Sequence, residues 1–258
     1  LFKPQKKKFI LILFSMVVCL LLLLIGVLYV MQANIKEYAR AEAASKSEYA
    51  KIYIESTVNN IEKTVKEIGI IPVFVRAVSD KNSDEITELL RVIFESSKET
   101  RRFIALDTVG NLIAVYPHTI LTSQNFAFRD YFSQVMATRK TYISDTFEAS
   151  LQTPVTAIVI SAPILDDKNN LLGVLGGSIN LDWMEKKLQE IATEKNEQYF
   201  TVFDKYYRRI ISPNPDLIGK VVEKDNLIYQ LSDQKSIIGE GFNFAGNHML
   251  QAVQKIPK

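Results

Sequence analysis

Residues 9–31, FILILFSMVVCLLLLLIGVLYVM, constrain this chain more than any other stretch: 23 positions without a charge, interrupted only by Ser15 and Gly26. A bilayer core of about 30 Å is crossed by roughly 20 apolar residues in a helix. Ahead of the run stand Lys3, Lys6, Lys7 and Lys8, and basic residues stay on the cytoplasmic side. The pattern predicts a cytoplasmic tail over residues 1–8, a transmembrane helix over 9–31, and everything from residue 32 outside the cell or inner membrane. A cleaved signal peptide is the rival reading, but its apolar region runs about 7–15 residues and ends in a small-residue site. Here the run is longer, and Ala33, the small residue close by, has Tyr29 and Met31 as poor neighbours for cleavage. An uncleaved anchor is therefore expected, and a first residue of Leu reads as a fragment of a longer protein.

With 47% hydrophobic and 23% charged residues, the external part has the composition of a folded domain rather than a disordered tail. The net charge is +2; with the four tail lysines set aside, the remainder is slightly acidic and carries no basic footprint for nucleic acid. Cys19 is the sole cysteine and lies within the apolar run, so no disulfide framework and no cysteine metal site is available. Two histidines, His118 and His248, exclude an HExxH metal centre. Gly176-Gly177-Ser178-Ile179-Asn180 lacks the last glycine of a nucleophile elbow, and Gly239-Glu240-Gly241 lacks the later glycine and lysine of a phosphate loop. The residues predict no enzyme in this segment, no metal and no cofactor.

Residues 32–68 contain no Pro or Gly and are rich in Ala, Glu and Lys, which predicts one stalk helix about 55 Å long leaving the membrane. Ile54, Val58, Ile61, Val65 and Ile68 follow one another at heptad spacing. That stripe packs either on its own domain or on the same helix of a second copy. Gly69 and Pro72 end the helix. A shorter amphipathic helix follows, capped by Ser83 or Asp84, with Ile86, Leu89, Leu90, Ile93 and Phe94 on one face.

The period then changes. Residues 103–107 and 112–116 read as paired strands around Thr108-Val109-Gly110-Asn111, with Pro117 as the stop. A short helix near FRDYF at 128–132 precedes strands at 142–145, 156–164 and 172–179, the last two joined by Asp166-Asp167-Lys168-Asn169-Asn170. Gly173, Gly176 and Gly177 mark places where large side chains do not fit, and residues 183–191 are helical again. The order predicts one antiparallel sheet with helices on one side, an α+β unit. Residues 200–213 repeat the opening pattern of strand, Asp, turn, strand, Pro, which suggests a second, related module. A last strand begins at 249–253, so that module reads as truncated.

A membrane span, a long helix, FIALDTVGNLIAVYP, FRDYF, YISD and PVTAIVISAPILDDKNNLLGVLGGSINL in that order resemble the double Cache (dCache) sensor domain of bacterial and archaeal receptors. The resemblance covers residue 32 to the end. It implies two PAS-like modules: stalk helix 32–69, membrane-distal module 70–183, connecting helix 184–198, and an incomplete membrane-proximal module 199–258. Such domains serve histidine kinases, chemoreceptors and cyclic-di-GMP enzymes, normally followed by a second span and a cytoplasmic output domain.

The candidate ligand site lies between the helix at Arg129 and the strands after it. Arg129 can clamp a carboxylate with two parallel hydrogen bonds. Tyr131 and Tyr142 each offer a flat apolar face and a hydroxyl, with Tyr116 as a further aromatic. Asp145 suits an ammonium or hydroxyl, and Ser161 and Ser178 add strand hydroxyls. Each has a plain structural alternative: an ion pair for Arg129, core packing for the tyrosines, a turn for Asp145, a satisfied hydroxyl for the serines. Amino-acid-sensing Cache domains carry an Arg, an aromatic pair and a later Asp for the amino group. Arg129 matches the first and Tyr131-Phe132 partly match the pair, but Ser178 falls where the Asp would lie. The expected ligand is a small carboxylate, organic acid or amino acid. Signalling through the membrane by a homodimer is expected, with the Ile54–Ile68 stripe a candidate contact. The alternative is an anchored module that reads a partner protein without a small ligand.

Overall fold

The computed structural model describes residues 4–118, 124–148, 156–192, 198–224, 226–231, 234–243 and 245–256, with side chains from Lys8 onward. The side chains of Lys3, Lys6 and Lys7 lie outside this description. So do residues 193–197, within the expected connecting helix. Helix α1 runs uninterrupted over Pro4–Ile68, 65 residues. It is long and apolar enough to cross a membrane, and every side chain from Lys8 to Tyr38 is exposed, as a lipid-facing span requires. The chain divides into two units. One comprises residues 49–225 with 256–258, the other residues 1–48 with 226–255.

The first unit is built on a five-stranded antiparallel sheet ordered β2-β1-β7-β6-β3. Its strands are β1 (Thr100–Asp107), β2 (Leu112–Tyr116), β3 (Tyr142–Ile143), β6 (Val159–Leu165) and β7 (Leu171–Ile179). Two short strands, β4 (Phe147–Glu148) and β5 (Thr156–Ala157), pair beside it. Helices cover both faces rather than one. Ile54, Ile61, Val65 and Ile68 of α1 share a core with Phe103, Ile160, Leu175 and Ile179, joined there by α2 (Pro72–Ser79) and α3 (Ser83–Glu95). Helix α4 (Asp130–Thr138) closes the other face over Ile104, Leu106, Val159 and Val174. Cover on both sides explains why β6 and β7 read as near-continuous apolar runs.

The heptad stripe is therefore used inside its own domain: Val65 is 0% and Ile61 2% exposed. The stripe meets β7 at a glycine. A Cβ at Gly177 would lie 3.2 Å from side-chain carbons of Ile61, Val65 and Phe103, so the missing side chain is what lets α1 lie on the strand.

Two helix boundaries differ from the sequence pattern. Pro72 begins α2 instead of merely ending α1, because a proline at the first helical position loses no intrahelical hydrogen bond. Helix α3 is capped by Asn82, whose Oδ1 accepts the Glu85 N–H at 3.3 Å. Ser83 is already inside the helix, and its hydroxyl donates to the Ile113 carbonyl at 2.8 Å.

The hairpin turns share one device. The Asp107 carboxylate accepts N–H groups of Val109 (3.0 Å) and Asn111 (2.8 Å). Asp166 does the same for Lys168 (2.9 Å) and Asn170 (2.7 Å). Asp204 accepts those of Tyr206 (2.8 Å) and Arg208 (2.9 Å), in the turn between β8 (Val202–Phe203) and β9 (Arg209–Ile211). The sequence similarity between the Asp107 and Asp204 regions thus has a common hydrogen-bond geometry. Helix α5 (Leu181–Ile191) packs Leu181, Met184 and Leu188 into the larger core.

In the second unit, β10 (Ser236–Phe242) and β11 (His248–Gln254) form an antiparallel hairpin. Its turn again rests on one side chain, Asn243, which accepts the Ala245 and Asn247 N–H groups at 3.0 and 2.8 Å. Gly239 in β10 leaves room for the Leu227 methyl groups, and Gln254 Nε2 donates to Ser47 Oγ at 3.3 Å.

Candidate functional site

The site is assembled around the first turn of α4. Arg129 is the N-cap, in extended conformation, and its side chain does not cap the helix. Its guanidinium carbon lies instead over two aromatic rings, 4.4 Å from the Phe147 ring centre and 4.9 Å from that of Phe128. Such cation–π contact attracts the charge to the ring faces and leaves the guanidinium N–H groups able to hydrogen-bond. Arg129 Nε is buried and has no hydrogen-bond partner.

Asp130 braces this arrangement. Its Oδ1 accepts the Tyr131 N–H at 2.8 Å and its Oδ2 the Asp145 N–H at 2.9 Å, tying the segment after β3 to the helix start. Tyr131 is 3% exposed, its ring 5.8 Å from that of Phe147. Burial pushes its hydroxyl pKa up to about 12, with the Arg129 charge opposing and Asp130 reinforcing. Tyr142 is half-buried at the edge of the α4-side core. Its hydroxyl is pushed up by burial and by the charges of Asp130 and Asp145.

The carboxylate of Asp145 is engaged by the β8–β9 turn: Lys205 Nζ lies at 2.6 Å, and the Tyr206 hydroxyl donates to it at 3.1 Å. Hydrogen bonding to Asp145 holds the Lys205 ammonium well above its ordinary pKa. Ser161 is fully buried in β6, and its hydroxyl donates to the carbonyls of Tyr131 (2.8 Å) and Tyr142 (3.3 Å). It pins α4 and β3 to the sheet. Ser178 donates to the Arg102 carbonyl at 3.3 Å.

Strand parity sorts the remaining residues. Gly176 faces Ile104 and Val159 on the α4 side, while Gly177 faces α1. Side chains alternate along a strand, so Ser178 shares the α4 side. Tyr116 does not. It sits opposite Phe103 in the β1–β2 register, and its ring lies 5.3 Å from Phe94 of α3 in an edge-on contact. Directly paired residues share a face, so Tyr116 belongs to the α1–α3 side of the sheet and not to the site.

The structure thus brings together Arg129, Tyr131, Tyr142 and Asp145, leaves Ser178 on the same face, makes Ser161 a buried brace and removes Tyr116. Phe128 and Phe147, which hold Arg129, carried no sequence signal beyond being aromatic. Arg102 is not among the residues the sequence pattern singles out. It occupies the alternate position to Ile104 and Leu106 in β1, so parity along that strand would have placed it on the α4 side.

The family model of the Cache domain matches residues 30–258. Among solved structures, the periplasmic sensory domain of the Campylobacter jejuni chemoreceptor Tlp1 superposes with a TM-score of 0.64 at 15% identity, covering 85% of this chain and 90% of that one. The ligand-binding domain of the Pseudomonas aeruginosa amino-acid chemoreceptor PctC, in complex with GABA, gives 0.55 at 13% identity, with 81% and 88% covered. An extracellular ligand-binding receptor from Desulfohalobium retbaense gives 0.55 at 14% identity; the match takes in 78% of this chain but spans only 35% of that receptor's length. These likenesses are of fold. No curated protein matches the chain in sequence. With a family model matched from residue 30 through residue 258 and a two-faced antiparallel sheet behind a long N-terminal helix, the chain belongs to the Cache domain family.

Proposed function

We propose that residues 32–258 are the extracytoplasmic sensor region of a transmembrane signal-transduction receptor anchored by residues 9–31. In this reading the module over residues 70–183 binds a small organic acid through Arg129. The observation that carries it is the state of Arg129: a guanidinium over the rings of Phe128 and Phe147, its Nε buried without a hydrogen-bond partner. A buried donor left unpaired costs about 1–3 kcal/mol, and a carboxylate is the two-pronged acceptor that relieves it. The GABA found in PctC supports a small carboxylate. An organic acid is favoured over an amino acid, because Asp130 and Asp145, the acidic groups beside Arg129, are already engaged.

Binding would close the site around α4 and bias the domain between two arrangements, which requires a ligand with unequal affinity for them. Helix α1 is the proposed route to the membrane, and a receptor dimer would use a face other than Ile54–Ile68.

The test is a thermal-shift panel of organic acids and amino acids on the full chain in detergent micelles, with Arg129→Gln beside the wild type. An acid that stabilises the wild type and loses at least tenfold in affinity in Arg129→Gln supports the proposal. An unchanged shift in the variant removes Arg129 from the site. Absence of any shift in the wild type favours a partner-reading module.

A further inference from the structure

Arg102 is half-buried near the start of β1, on the sheet face covered by α4, and its Nε is buried without a hydrogen-bond partner. Among the described residues no carboxylate is paired with it, whereas its neighbour Arg101 has Asp182 at 3.3 Å. Burial, and then the charge of Arg101, depress its pKa, which marks the site as poor for an uncompensated cation. A desolvated charge without a counterion is unfavourable unless something supplies one.

One row of residues joins Arg102 to the site. Arg102 pairs with Ser178, and Ser178 pairs with Val159. Val159 exchanges hydrogen bonds with Ser144, accepting its N–H at 2.9 Å and donating to its hydroxyl at 2.9 Å. Asp145 follows, held by Asp130 next to Arg129. At the usual strand spacing the row spans about 14 Å of backbone. Arg102 begins this row with the Ser178 hydroxyl beside it, and the far end leads through Asp145 and Asp130 to Arg129 on the same sheet face. Two cations on one half-buried face repel each other when the site is empty, and a single anionic group meets only one of them.

We infer that Arg102 is a second ligand contact and that the ligand carries two negatively charged groups, one for Arg129 and one for Arg102, as in a short dicarboxylate. This deepens the organic-acid reading and rests on it.

The experiment measures affinities of the full chain in detergent micelles for succinate and glutarate and for the chain-matched butyrate and valerate. Wild type, Arg102→Gln and Arg129→Gln are compared. At least a tenfold preference for a dicarboxylate in the wild type is expected. Arg102→Gln should abolish that preference while keeping the monocarboxylate affinity, and Arg129→Gln should lose both. Equal affinity for matched mono- and dicarboxylates, or a preference that survives Arg102→Gln, overturns the second contact and leaves the organic-acid reading standing. No binding of any of the four acids by folded wild type overturns this inference. The wider acid panel then decides the organic-acid reading itself.

Discussion

The Thr146 hydroxyl donates to Asp204 Oδ2 at 2.5 Å and accepts from Arg208 Nη2 at 2.5 Å. Two side chains from the β8–β9 turn thereby close on a residue three positions beyond β3. Arg208 Nε also donates to the same Asp204 oxygen at 2.7 Å, so the three form a closed set. Removing the hydroxyl in Thr146→Val leaves a largely buried carboxylate and a guanidinium short of one partner each. It should cost about 1–3 kcal/mol in a chemical denaturation curve. Thr146→Ser should restore most of it.

Acid should act on the same cluster. Burial raises the Asp204 carboxyl, but hydrogen bonds from Thr146, Arg208 and Tyr206 outweigh it and hold its pKa below the ordinary value. A depressed folded pKa means that the stabilisation is present above the unfolded value of 3.8 and is lost as pH falls through the folded one. Melting temperatures measured from about pH 5 downward should therefore fall less steeply in Asp204→Asn than in the wild type. Equal slopes would mean that the carboxylate does not titrate differently on unfolding.

Tyr131 works at the other end of the scale. With its folded pKa raised from 10.0 to about 12, the neutral phenol contributes in full below pH 10. That contribution is lost as pH rises through the folded pKa. Tyr131→Phe should thus lose less stability than the wild type between neutral pH and pH 11. The gap should be on the order of 1 kcal/mol at pH 11, since one pKa unit corresponds to about 1.4 kcal/mol. Parallel melting curves would show that the ring is not shielded as described.

Glycine substitutions test how closely β7 is packed. At Gly173 an added Cβ would stand 2.1 Å from the Leu106 carbonyl oxygen, a backbone atom. At Gly177 it meets side-chain carbons at 3.2 Å. Overpacking costs about 1–3 kcal/mol, so Gly177→Ala should fall in that range and Gly173→Ala should exceed it. Gly26→Ala has nothing within 4 Å and should leave the denaturation midpoint unchanged.

The α1 stripe separates core from interface. Val65→Ala and Ile61→Ala remove fully buried carbons and should cost about 1–4 kcal/mol each. Cysteines placed at 61 or 65 should give no crosslink between copies in membranes, because both positions are covered by β7 and Phe103. Efficient crosslinking there would show that the helix leaves its own domain.

The legible parts of the fold were those with an uncontested period: the apolar run, the stalk helix, the hairpins around Asp107 and Asp166. Pro72 misled because proline both ends one helix and begins another, and only the path of the chain decides which. β10 was missed because its half-buried residues, Ile237, Gly239 and Gly241, offer little apolar contrast. In the site, Arg129, Tyr131 and Asp145 lie close in sequence, and the helix start and the strand after it gather them. Tyr116 and Arg102 depend on which way a strand is turned, and the β1–β2 register with its covering helices decides that. Ser161 was legible as a strand hydroxyl but not as a brace, since its partners are backbone carbonyls distant in sequence.

In strand β7 the two faces of the domain meet at adjacent residues. Ser178 points to the face that carries Arg102, while adjacent Gly177 is covered directly by Ile61 and Val65 of α1. Between Arg102 and the helix there is a partition one backbone thick, and at Gly177 that partition has no side chain of its own. At this point the ligand-side face and the helix-side core are separated by a single main chain.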